Sequence, residues 1–98
     1  MIDVHVHLRD GVQQAKETIA HALAVGSQCG IEAFFDMPNT DPPLISESAI
    51  DQRIRFGMQQ AASIDEHIFY GVYAGITSDV RQIQNIVDLY RRRHPRIV

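Results

Sequence analysis

Asp3-Val4-His5-Val6-His7-Leu8-Arg9-Asp10, near the start of the chain, alternates β-branched apolar residues with polar ones. A period of two marks a strand, and side chains at i and i+2 of a regular strand share a face. On that geometry Asp3, His5 and His7 point the same way, and Arg9 continues their line. Two readings of the histidines are open. They are either inward polar residues with ordinary hydrogen-bond partners or metal ligands, since neutral imidazole suits zinc and related metals. Arg9 is open in the same way: a surface ion pair with Asp10 or Glu17, or a fork for a carboxylate or phosphate.

What surrounds the stretch sets its context. Residues 13–28 turn helical, with Ile19, Ala22, Leu23 and Gly26 on one face and Gly30 as the stop. Residues 31–37 form a second short apolar strand. Ser46 is an N-cap with Glu47 in the first turn. Ile50, Ile54, Met58, Ala61 and Ala62 make the buried stripe of a second helix. Residues 68–74 form a third strand, and a third helix begins at Ser78 with Val80, Ile83, Val87 and Tyr90 at helical spacing. Pro95 stops it, and Arg96-Ile97-Val98 opens a fourth strand.

The order β-α-β-α-β-α-β, about 30 residues per unit, predicts a parallel sheet with helices outside it. Two architectures compete, a doubly wound open sheet and a (β/α)8 barrel. No Gly-rich phosphate fingerprint follows the first strand, which weakens the dinucleotide-binding version. A barrel takes about 250 residues, so residues 1–98 are expected to be its first half, an incomplete domain.

Bulk properties narrow the function. At 45% hydrophobic and 21% charged residues the chain can form a core. A net charge of −3 gives no electrostatic case for nucleic acid or an anionic membrane. The basic run from Arg91 to Arg96 fits a helix C-terminus, where cations complement the dipole. One cysteine, Cys29, excludes an intrachain disulfide and is expected to be a buried or half-buried thiol. No apolar run approaches a membrane span and no signal-peptide pattern opens the chain, so the expectation is a cytoplasmic protein.

A second chemical clue is the loop Pro38-Asn39-Thr40-Asp41-Pro42-Pro43. Its three prolines stiffen the backbone around Asn39. Asn39 either binds its own backbone in an Asx turn or offers its amide to a substrate carboxylate. His21, His67, His94, Asp51 and Asp65 are left outside the site, and Tyr70 and Tyr73 read as strand packing.

Taken together, "DVHVHLRDG", the "KET" of residues 16–18 and "FDMPNTDPPL" of residues 35–44 resemble dihydroorotase, of the cyclic-amide hydrolase branch of the amidohydrolase superfamily. The resemblance implies a (β/α)8 barrel with a metal site, usually of two zinc ions. It also implies reversible cyclisation of N-carbamoyl-L-aspartate to L-dihydroorotate in pyrimidine synthesis. By position, it makes His5 and His7 metal ligands, and Arg9 and Asn39 the residues that bind the substrate's α-carboxylate.

The same resemblance implies further machinery: a metal-bridging lysine on strand four, two more histidines, and an aspartate acting as general acid and base. None of these is expected within residues 1–98, and Lys16, the single lysine, opens a helix. The chain by itself is therefore expected to lack activity, to hold zinc weakly, and to associate with itself or with the other half of a barrel. Two alternatives stand beside this reading. One is an allantoinase or dihydropyrimidinase type of cyclic amidase, which Arg9 and Asn39 disfavour because they suit an acidic substrate. The other is a non-catalytic half-barrel.

Overall fold

The structure, a computed structural model, describes residues 1–98. Three strands, β1 (Ile2–Val6), β2 (Ala33–Asp36) and β3 (Phe69–Val72), form a parallel sheet in the order β1-β2-β3. Helices α1 (Ile19–Gln28), α2 (Glu47–Ile64) and α3 (Val80–Arg93) provide the connections. A single 3-10 turn, Gly11–Gln13, precedes α1. The chain is thus α/β with a parallel sheet, as the alternation predicts.

The fourth strand is present only as a start. Val72 and Ile97 form one parallel bridge, closed by Val72 N–H to Arg96 O (2.8 Å) and Val98 N–H to Val72 O (3.0 Å). Ile97 is nonetheless fully buried, so its side chain has already joined the core.

Alternation along β2 and β3 sorts the sheet into two faces. Phe34, Asp36, Tyr70 and Val72 are buried on the helix side, together with Ile19, Leu23, Ile50, Ile54 and Ala61 from α1 and α2. The other face carries Phe35, Phe69 and Tyr73, with Phe35 and Phe69 ring centroids 5.6 Å apart. No helix covers that face. On β1, Ile2 and Val4 remain 61% and 58% exposed.

The α2 cap follows the sequence, while the start of α1 and two buried stripes do not. Ser46 Oγ accepts Ala49 N–H and caps α2, with Glu47 in its first turn. Thr18 Oγ caps α1 six residues later than the helical pattern suggests, because residues 11–17 are held in the turn before it. Lys16 therefore lies in that turn and does not open the helix. In α2, Met58 and Ala62 are exposed, and Gly57 instead faces the sheet, where its hydrogen lies against the Tyr70 ring.

In α3, the expected stripe of Val80, Val87 and Tyr90 faces solvent and Ile83 is only half-buried. The helix turns inward the line Gln82-Ile86-Leu89-Arg93. Ile86 and Leu89 are buried, Gln82 donates to Ile45 O and Gly75 O, and Arg93 pairs with Asp51 of α2. Polar residues at both ends of that line hide it from apolar periodicity. Cys29, the C-cap of α1, is exposed and not buried as expected.

Two measurements test this packing. Gly57→Ala adds a methyl that overlaps a ring with little room to retreat. The overlap, costing about 1–3 kcal/mol, outweighs the gain of up to about 1 kcal/mol in helix propensity. The urea midpoint should fall; an unchanged or higher midpoint contradicts the close approach. Burial, reinforced by the Asp36 charge, pushes the Tyr70 phenol well above its ordinary value of about 10. A group with a raised folded pKa stabilises fully below its unfolded pKa and loses that contribution as the pH rises beyond it. Stability should therefore fall as the pH climbs above about 10, and this dependence should shrink in Tyr70→Phe.

Candidate functional site

The carboxyl ends of β1 and β2 hold the side chains singled out in the sequence. His5 and His7 project together, their rings edge to face with centroids 5.3 Å apart. Asp3 does not join them. Asp3 pairs in register with Phe34 and Val6 with Asp36, so three steps on β1 match two on β2. This bulge resets the alternation, and the Asp3 carboxylate instead accepts His5 N–H at 3.0 Å.

His7 Nδ1 lies 2.8 Å from Asn39 Oδ1, a contact between the first two βα loops. Arg9 Nη1 donates to Asn39 O at 3.3 Å. Arg9 makes no ion pair with Asp10 or Glu17, and Asn39 bonds across the site instead of to its own backbone. All four predicted site residues thus lie together on one rim.

The rim rests on a buried carboxylate. Asp36, with no exposed surface, accepts Leu8 N–H on Oδ1 at 3.0 Å. Its Oδ2 accepts Arg53 Nε (2.9 Å), Arg53 Nη2 (2.6 Å) and the Tyr70 hydroxyl (2.9 Å). One side chain therefore joins β2 to α2, to β3 and to the residue that follows His7. Burial works against the Arg53 charge, but attraction to the Tyr70 oxygen and to Asp36 outweighs it and raises the Arg53 pKa.

Beyond Leu8 the chain turns sharply. Arg9, Asp10 and Gly11 have φ of 54°, 76° and 57°. Asp10, at ψ −176°, lies in a region that L residues other than glycine rarely enter, at a cost of about 1–3 kcal/mol. Hydrogen bonds hold it there. Its carboxylate accepts Gly11 N–H (2.7 Å) and Ile19 N–H (2.9 Å), and its own N–H donates to Glu17 O (2.9 Å). The turn that aims Arg9 is thereby fastened to the start of α1. On the second loop, Gly75 N–H donates to Leu44 O at 2.7 Å and Gln82 donates to Ile45 O, tying the Asn39 loop to β3 and α3.

Asp10, Asp36, Arg53 and Tyr70 support the site without belonging to the pattern that the sequence singles out. The signal was a charge, Asp36, within the otherwise apolar run of residues 31–37, since buried charges are paired. Tyr70 and Tyr73 do more than pack: their hydroxyls bond Asp36 and Val4 O. The excluded histidines have local partners. His21 bonds Glu17, His67 bonds Asp65, and the His94 ring lies tilted against Tyr90, with centroids 5.2 Å apart. The basic run is largely paired, Arg91 with Asp88, Arg92 with Glu47 and Arg93 with Asp51, while Arg96 lies over the Phe69 ring.

The donor set fits part of a zinc site. Two imidazoles on one tetrahedral zinc, with Zn–N near 2.0–2.1 Å, have centroids roughly 5 Å apart, close to the 5.3 Å observed. A catalytic zinc takes three protein ligands and water. No group of three or more His, Cys, Asp or Glu side chains converges anywhere in the chain.

These features define an α/β chain with a parallel sheet and a polar cluster at the carboxyl ends of its strands. Comparison with known proteins gives the particular relationship. The chain is 34% identical over 85 residues to a dihydroorotase of Sulfurisphaera tokodaii, covering 87% of this chain and 21% of that protein. It is 49% identical over 53 residues to one of Pyrococcus horikoshii, covering 54% and 13%. It is 36% identical over 87 residues to one of Lactiplantibacillus plantarum, covering 89% and 19%. The chain is therefore similar over most of its length to the N-terminal portion of dihydroorotases, in agreement with the resemblance carried by its motifs. It spans about a fifth of the first of these relatives and less of the others. No family model matches it.

The turn after His7 supplies a test. Asp10→Ala keeps the backbone strain and removes both carboxylate acceptors, so it should cost about 1–3 kcal/mol. Asp10→Asn retains an acceptor and tolerates positive φ better. Urea unfolding should rank wild type above Asp10→Asn above Asp10→Ala; equal midpoints for the two variants contradict the capping account.

Proposed function

We propose that residues 1–98 are the first half of a (β/α)8 barrel of dihydroorotase type. The reaction of such an enzyme is the metal-dependent, reversible cyclisation of N-carbamoyl-L-aspartate to L-dihydroorotate. The observation that carries this reading is the joining of His7, Asn39 and Arg9 on one rim, in a chain that aligns with dihydroorotases. In it, His5 and His7 hold a zinc ion, which supplies Lewis-acid activation when bound. Arg9 offers a planar fork of donors to the α-carboxylate, and the Asn39 amide adds a donor beside it. That acidic recognition favours dihydroorotase over allantoinase or dihydropyrimidinase chemistry. The reading places the protein in the cytoplasm; no helix is long and apolar enough to cross a membrane.

A second reading concerns association. The sheet face bearing Phe35, Phe69 and Tyr73 has no helix over it, and 16 of 98 residues are buried. An open sheet with one bare apolar face and free edges is costly to leave uncovered. This favours pairing with another half-barrel, whether a second copy or the complementary part of an enzyme.

With two imidazoles and no third ligand, residues 1–98 should bind zinc weakly and turn over little carbamoyl-aspartate. Calorimetric titration with zinc should show weak binding that disappears in His5→Ala/His7→Ala. Binding unchanged in that variant contradicts the ligand assignment. Turnover within the usual enzyme range of about 1–1,000 per second would show that the chain's own residues suffice.

A further inference from the structure

Three side chains meet where the first two βα loops touch, and their arrangement bears on which ring nitrogen of His7 carries a proton. Nδ1 of His7 faces Asn39 Oδ1 at 2.8 Å. A carbonyl oxygen only accepts, so the proton in that bond belongs to the histidine. A neutral imidazole with Nδ1–H has its lone pair on Nε2. Metal-bound histidines are commonly fixed in this way, by a partner on the nitrogen away from the metal.

The same bond orients the amide. With Oδ1 turned to His7, Asn39 presents its NH2 group away from the ring. Its backbone oxygen already accepts from Arg9 Nη1 at 3.3 Å, which keeps the guanidinium beside it. The loop carrying Asn39 is fastened independently of His7, through Leu44 N–H to Pro38 O (3.0 Å) and Gly75 N–H to Leu44 O (2.7 Å). Asn39 therefore has a fixed base from which to hold the ring.

We propose that Asn39 is a positioning residue for His7: its Oδ1 locks the imidazole as the Nδ1–H tautomer, leaving Nε2 free for a cation, and turns its own NH2 toward an anion beside Arg9. This rests on the reading of His7 as a metal ligand. It adds a mechanical link between the cation-binding and anion-binding halves of the rim. A change in the bound anion would then be felt at His7 through one amide group.

Long-range 1H–15N correlation of the ring nitrogens in the 98-residue chain tests it, above the pH range in which imidazoles are protonated. His21 and His67 serve as internal standards. Each places Nδ1 against a carboxylate, at 2.8 Å and 2.9 Å, so each carries Nδ1–H. Wild-type His7 should show the same pattern, a protonated-type Nδ1 and a bare Nε2. Asn39→Ala should reverse the two nitrogens toward the Nε2–H form that an unconstrained imidazole prefers, whereas Asn39→Asp, which keeps an acceptor, should preserve the wild-type pattern. His7 carrying Nε2–H in the wild type overturns the proposal without recourse to any variant, as does an Asn39→Ala spectrum identical to wild type. Adding zinc chloride separates this from the ligand reading. With the predicted tautomer present and Nε2 unmoved by zinc, positioning stands and the ligand reading fails. With Nε2–H in the free chain and a large zinc-induced shift, the ligand reading stands and the positioning role is overturned.

Discussion

A carboxylate with no access to water, Asp36, touches almost every part of this structure that matters to its site. It takes a backbone N–H from Leu8, just beyond β1, two nitrogens from α2 and a hydroxyl from β3. Removing a charge from water is expensive, and only close, well-bonded partners offset the cost. Here the partners come from three other elements, so the carboxylate is satisfied only when β1, α2 and β3 are all in place. Deleting one partner of such a buried pair typically costs about 3–5 kcal/mol, because the other charge is left uncompensated. The network thus ties the segment after β1, α2 and β3 to one residue of β2.

Its contribution to the site follows from where Leu8 lies. Leu8 is the residue between His7 and Arg9, and its N–H points at Asp36 Oδ1. His7 ahead of it and Arg9 behind it inherit that fixed point. Asp10 supplies a second anchor two residues on, in a backbone conformation that needs its three hydrogen bonds to persist. Asn39, three residues after Asp36, faces both His7 and Arg9. The rim is therefore built from two short loops whose roots share one carboxylate. Precise placement of side chains from two loops is what a binding site at strand ends requires.

The alternation of strands and helices was plain in the sequence because it depends on local periodicity, and Ser46 and Gly30 marked helix limits through local backbone chemistry. His5, His7, Arg9 and Asn39 could be named because they sit in unusual local contexts, a histidine pair on a strand and an asparagine among prolines. Where the structure departs from local pattern, the cause is different. The inward line of α3 starts at Gln82 and ends at Arg93, residues whose placement depends on partners 37 and 42 positions away in Ile45 and Asp51. Asp3 left the histidine face because of a bulge against β2, which no strand shows by itself. Asp36 and Arg53 form a pair only once α2 lies on the sheet, so neither could be matched to the other from spacing.

The central claim is that Asp36 holds Leu8, and through it the segment that carries His7 and Arg9. Amide hydrogen exchange at Leu8 tests it most directly. The wild-type Leu8 N–H should exchange as slowly as amides in the middle of β2. In Asp36→Leu/Arg53→Met, which removes both charges together so that neither is left buried alone, that protection should be lost selectively while β2 and β3 amides stay protected. Rapid exchange at Leu8 in the wild type, or full protection retained in the double variant, would contradict the account.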